Sequence, residues 1–89
     1  MIIASSSEKF EIGQKVNTKI HNATMTDHSG IEHDNVSFLV IREATVEEYI
    51  EYSIENCSEY TDRHQLELII RFRKLERNDI EYYYGILMD

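Results

Sequence analysis

Leu66-Glu67-Leu68-Ile69-Ile70-Arg71-Phe72-Arg73 can be read at two periods, and the choice sets the number of strands in the fold. As a strand, Leu66, Leu68, Ile70 and Phe72 fall on one side and Glu67, Ile69, Arg71 and Arg73 on the other. As a helix, Leu66, Ile69, Ile70 and Arg73 share a face instead. Strands alternate because successive Cβ atoms point to opposite faces, whereas a helix aligns residues three and four apart. Strict alternation with β-branched and aromatic content favours the strand. Glu76-Arg77-Asn78-Asp79 then supplies turn residues, and Ile80 to Met88 completes a hairpin. In that last strand Ile80, Tyr82, Tyr84, Ile86 and Met88 would point inward, and Glu81, Tyr83, Gly85 and Leu87 outward.

Upstream of this hairpin, Val36 to Glu43 is almost continuously apolar, as a strand buried on both faces would be. A helix follows. Thr45 and Glu48 have the spacing of a capping box, in which hydroxyl and carboxylate each satisfy an otherwise unpaired backbone donor. Val46, Tyr49, Ile50, Ile54 and Cys57 form one stripe, with Glu47, Glu51 and Glu55 on the opposite side. Ser58 to His64 reads as the exit loop. Nearer the N-terminus, Phe10, Ile12, Val16 and Ile20 alternate with polar residues as a half-buried strand. Residues 1–8 show no period and read as a loose tail or a short added strand. Residues 21–34 are a long, polar, turn-rich connection.

The expected fold is therefore α+β, a single domain of order β-β-α-β-β: a four-stranded antiparallel sheet, spatial order 1-2-4-3, with one helix packed on one face. The order follows because Tyr82 to Met88 is uncharged and strongly β-forming, and a central position protects such a strand from edge-to-edge aggregation. A small β-barrel with one helix is the alternative.

The chain of 89 residues, 42% of them hydrophobic and 29% charged, is of single-domain size. Met1 to Ser7 is too short and polar for a signal peptide, and no apolar run approaches the ~18 residues of a membrane span. A soluble, cytoplasmic protein is expected. The single cysteine excludes an internal disulfide and a cysteine-based zinc site. A net charge of -8 argues against nucleic acid as the main partner, because phosphate contacts are made chiefly by Lys and Arg. The charge is unevenly spread. Residues 43–62 carry acidic groups without Lys or Arg, and residues 63–77 include Arg63, Arg71, Arg73, Lys74 and Arg77.

Three groups of residues are candidates for function. Glu47, Glu48, Glu51 and Glu55 could present carboxylates to a basic or nucleic-acid-binding protein partner. Leu39, Ile41, Ile69, Tyr83 and Leu87 would cluster on the second face of the sheet, which one helix cannot cover, and an apolar centre with a charged rim suits a homodimer interface. His28, His33 and Asp34, with Asp27, are weak candidates for metal ligands at loose spacing. No residue sits in a nucleophile elbow or phosphate loop, so neither a catalytic residue nor a cofactor is expected. Small acidic α+β chains are common among phage and mobile-element accessory proteins, many of which inhibit host machinery by binding. The expected function is accordingly a non-enzymatic protein-binding module, of the type that inhibits a nucleic-acid-handling host protein. The alternatives are an oligomer that binds or sequesters a small ligand, and a metal-dependent hydrolase using the His-rich loop.

Overall fold

A computed structural model describes residues 2–27, 32–55 and 63–88 and shows an α+β fold in which two helices accompany a curled antiparallel sheet. The strands are β1 (Ile2–Ser6), β2 (Lys15–Asn17), β3 (Ala23–Thr26), β4 (Glu32–His33), β5 (Ser37–Ala44) and β6 (Glu81–Met88). The helices are α1 (Val46–Glu55) and α2 (Arg63–Glu76). The six strands lie in the order β2-β5-β6-β1-β3-β4.

The segment 66–73 is helical, so the expected count of four strands and one helix is corrected to six and two among the described residues. Gln65, Leu66, Glu67, Arg71, Arg73, Lys74 and Leu75 are good helix formers, and here local propensity prevails over alternation. Of its apolar residues only Ile70 is fully buried. Arg71 bonds Glu67 one turn back at 3.1 Å and reaches Glu47 on α1 at 3.6 Å. The place beside β6 intended for this segment is taken by β1. Ile3 and Ala4 there are wholly shielded, with Ala4 opposite Tyr83 in the register. Spatial order 1-2-4-3 is thus corrected as well. β2, β5 and β6 are neighbours as expected of strands 1, 2 and 4, and the N-terminal segment replaces the last member.

Two further segments differ from expectation. Between Phe10 and Ile20 only Lys15–Asn17 is strand. Glu11 to Gln14 is a tight turn closed by the Gln14 amide donating to the Glu11 carbonyl at 3.1 Å, with Gly13 at φ 87° supplying the left-handed position. The turn directs Phe10 into the core and leaves Ile12 exposed. The polar stretch 21–34 contains β3 and β4, which pair with Met25 opposite His33.

Curling gives the sheet an interior of its own. Its concave face packs Ile2, Ala4, Val16, Met25, Phe38, Val40 and Tyr83 together, and Phe10 closes over them from the loop after β1. The Phe10 amide donates to the Tyr83 hydroxyl at 3.0 Å, and the two rings lie 5.1 Å apart. The opposite face meets the helices. Tyr82 stacks on Tyr49 of α1 at 4.4 Å, and Ile50 and Ile70 are buried. Adjacent tyrosines on β6 therefore serve the two layers. A Cβ at Gly85 would lie 2.8 Å from both the Leu39 carbonyl oxygen and the Phe38 ring, so β5 and β6 approach as closely as they do only with glycine there.

Two substitutions test this packing. Tyr83→Phe strands the buried Phe10 amide and should cost about 1–3 kcal/mol. Gly85→Ala overpacks the β5–β6 contact and should cost about 1–3 kcal/mol, more if the strands separate. Urea denaturation of both variants measures these losses, and wild-type midpoints would contradict the packing described.

Candidate functional site

α2 has apolar side chains on two sides. Ile70 and the half-buried Leu66 face the rest of the domain. Leu68, Phe72 and Leu75, spaced four and three residues apart, face away from it, with Ile69 beside them. Their exposures are 53%, 62%, 80% and 51% respectively. They are not scattered surface residues. Leu68, Ile69 and Phe72 line a shallow groove of about 400 Å³, flanked by Gln65, Arg73 and Glu76. Charged residues border this face without interrupting it, the arrangement expected of a docking surface.

On its other flank α2 helps to form a smaller cleft of about 210 Å³, with walls from α1 and from β3 and β4. Glu32 and Arg73 lie at its rim, and Leu66 and Ile70 form an apolar wall. The hydroxyls of Thr26, Tyr49 and Ser53 line the remainder. Burial pushes the Tyr49 phenol above its usual range, Glu32 adds to the rise, and Arg73 and hydrogen bonds with Ser53 and Thr26 oppose it.

The acidic row on α1 is less available than its spacing suggests. The capping box forms: the Glu48 amide donates to the Thr45 hydroxyl and the Thr45 amide to the Glu48 carboxylate, each at 3.1 Å. The same carboxylate takes a second tie from Arg42, at 2.6 Å, and Arg42 in turn lies over the Tyr84 ring at 4.3 Å. Glu47 faces Arg71. Glu51 is exposed, and the side chain of Glu55 lies outside the described residues.

The five sheet residues expected to form an interface are dispersed. Tyr83 is in the concave core, Ile69 is on α2, Leu39 and Ile41 are half-buried on β5, and Leu87 is exposed near the end of β6. In the polar stretch, His33 Nε2 lies 2.6 Å from the Asp27 carboxylate. The Asp34 carboxylate accepts from the Asn35 amide at 2.9 Å, which supports the turn where Asn35 takes φ 54°. His28 lies outside the described residues. Among the described residues no group of three His, Cys, Asp or Glu is placed to hold a metal ion. No described helix is long and apolar enough to cross a membrane.

The outward row on α2 was hidden by the strand reading, which sends Leu68 and Phe72 inward. The helical period itself carries the signal, since it leaves Leu68, Phe72 and Leu75 as a second row opposite Ile70. The cleft left no such trace, because Glu32 and Arg73 come from segments distant in sequence.

The Glu48 carboxyl is held down to about 2, first by the hydrogen bonds from Arg42 and then by the Thr45 amide. A carboxyl lowered on folding contributes stability above its unfolded range, and that contribution is lost as pH falls through about 2. NMR titration of the Glu48 side-chain carbon should therefore give a midpoint near 2, and Arg42→Gln should move it back toward the usual carboxylate range. An ordinary midpoint in the wild type would show that the tie does not hold in solution. No protein-family model, curated protein or solved structure matches the chain, so the chemistry of these surfaces is the guide to its function.

Proposed function

We propose that the protein is a non-enzymatic protein-binding module that docks its partner on the outward face of α2, and that the first such partner is a second copy of the chain. The observation that carries this reading is the row Leu68, Ile69, Phe72 and Leu75, each more than half exposed. A helix that is apolar on opposite sides is ordinarily buried on both, and among the described residues α2 has the rest of its own domain on only one.

The row suits self-pairing. Two copies of α2 running antiparallel about an axis near Ile70 would set Leu68 against Phe72 of the second copy. Glu76 would then approach the N-terminal end of the second α2, where Arg63 and the positive end of the helix dipole both favour a carboxylate. A helix of 14 residues is about 21 Å long, and one such face contributes less than the ~800 Å² per partner of a tight complex. Association in the micromolar range is the expected strength. The acidic side of α1 carries less of this reading, since Glu47 and Glu48 are already engaged by Arg71 and Arg42.

Sedimentation equilibrium over about 10–500 μM is the test, a range that brackets the expected strength. The wild-type mass should rise from 10.5 kDa toward twice that value. Phe72→Glu and Leu75→Glu should weaken association by tenfold or more, which is ~1.4 kcal/mol, with helix content unchanged by circular dichroism. A wild-type mass of one chain throughout would end the self-pairing reading. Association unaffected by either variant would place the interface elsewhere.

A further inference from the structure

The cleft between α1, α2, β3 and β4 combines features that point to a ligand of a particular chemistry. Glu32 and Arg73 lie on one cleft of about 210 Å³, carry opposite charges, and among the described residues form no ion pair with each other or with a third residue. Both act electrostatically on the Tyr49 hydroxyl, in opposite directions, so the hydroxyl lies within the field of each. Opposite charges held around one recess without joining leave room for a molecule that carries both signs.

Size and lining narrow the choice. The volume corresponds to about seven waters at ~30 Å³ each, below the ~300 Å³ at which pockets for drug-sized ligands begin. Leu66 and Ile70 supply an apolar wall, and the Thr26 and Ser53 hydroxyls lie by the Tyr49 phenol. We propose that this cleft binds a small zwitterion of the α-amino-acid type with an aliphatic side chain. Its carboxylate meets the Arg73 guanidinium, whose planar fork matches a carboxylate's two oxygens. Its ammonium meets Glu32, and its side chain lies against Leu66 and Ile70. The cleft adjoins the outward groove of α2: Ile69 and Arg73 line both, whereas Leu68 and Phe72 line only the groove.

The test is a titration of the full chain followed by amide NMR and calorimetry, with L-leucine as probe beside leucinamide, which lacks the carboxylate, and 4-methylpentanoate, which lacks the ammonium. Leucine should shift the amides of Thr26, Glu32, Tyr49, Ser53 and Arg73 and bind at least about tenfold more tightly than either analogue. Arg73→Gln should abolish the preference for leucine over leucinamide, and Glu32→Gln the preference over 4-methylpentanoate. Each variant keeps the other selectivity as proof of an intact cleft. No shift at these amides with about 10 mM leucine, a concentration that would reveal even millimolar affinity, overturns the proposal. Equal binding of all three probes also overturns it, since the cleft would then be reading apolar bulk alone.

Discussion

The hydrogen bond from the Phe10 amide to the Tyr83 hydroxyl is the constraint on which the two-sided sheet depends. β6 lies between β5 and β1, and Tyr83 projects from it into the concave side. Gly13 and Gln14 tie the far end of the segment between β1 and β2 to Val40 of β5, but without a polar contact at the tip of the Tyr83 ring the buried Phe10 amide would have no acceptor. With it, Phe10 closes the concavity, and its ring also meets His21 edge-on at 5.6 Å. The sheet thus buries the centre of one face against its own loops and of the other against the helices, and leaves Ile86, Leu87 and Met88 exposed at the end of β6. The longest exposed apolar row among the described residues is on a helix, α2.

What could be read from the sequence was the part in which local signals agree. The run from Val36 to Glu43 holds strand β5, though only Phe38 and Val40 in it are buried and Arg42 and Glu43 are exposed; Thr45 and Glu48 close the capping box, and Tyr82 to Met88 lies inside the sheet. What could not be read has physical causes. β1 is shielded on both faces, and complete burial erases the alternation that marks a strand. β3 and β4 are short and consist largely of Thr, Ala, Glu and His, whose place in a sheet is set by their neighbours. For 66–73 both periods fit, and the decision rests on whether the position beside β6 is vacant. That is a question about residues 2–6, far away in the chain. Of the candidate sites, the acidic row was legible as a spacing, but its pairing with Arg42 and Arg71 was not, because both arginines lie outside α1.

Those arginines resolve the crowding of charge on α1. Carboxylates one turn apart repel, and α1 carries no basic residue in its last turn to offset them. Arg42, from the strand just before the helix, and Arg71, from the helix packed beside it, supply the counter-charge from outside. Exposed ion pairs of this kind add little stability singly. Their effect is to fix the orientation of α1 against β5 and α2, and so to shape the walls of the cleft that α1 shares with α2.

The pairing of β1 with β6 also sets the order in which the protein can form. Ile2 faces Gly85 and Ser6 faces Glu81, so the centre of the sheet joins segments from opposite ends of the sequence. A growing chain can close α1 early, because its cap is local, but β1 has neither of its partners until β3 and finally β6 have been synthesised. Contacts between such distant segments require the closure of a long loop before they return any stabilisation, and they slow folding. Until then Ile2, Ile3 and the tyrosines of β6 are unshielded together, and the interval before sheet closure is when the chain is most prone to aggregate.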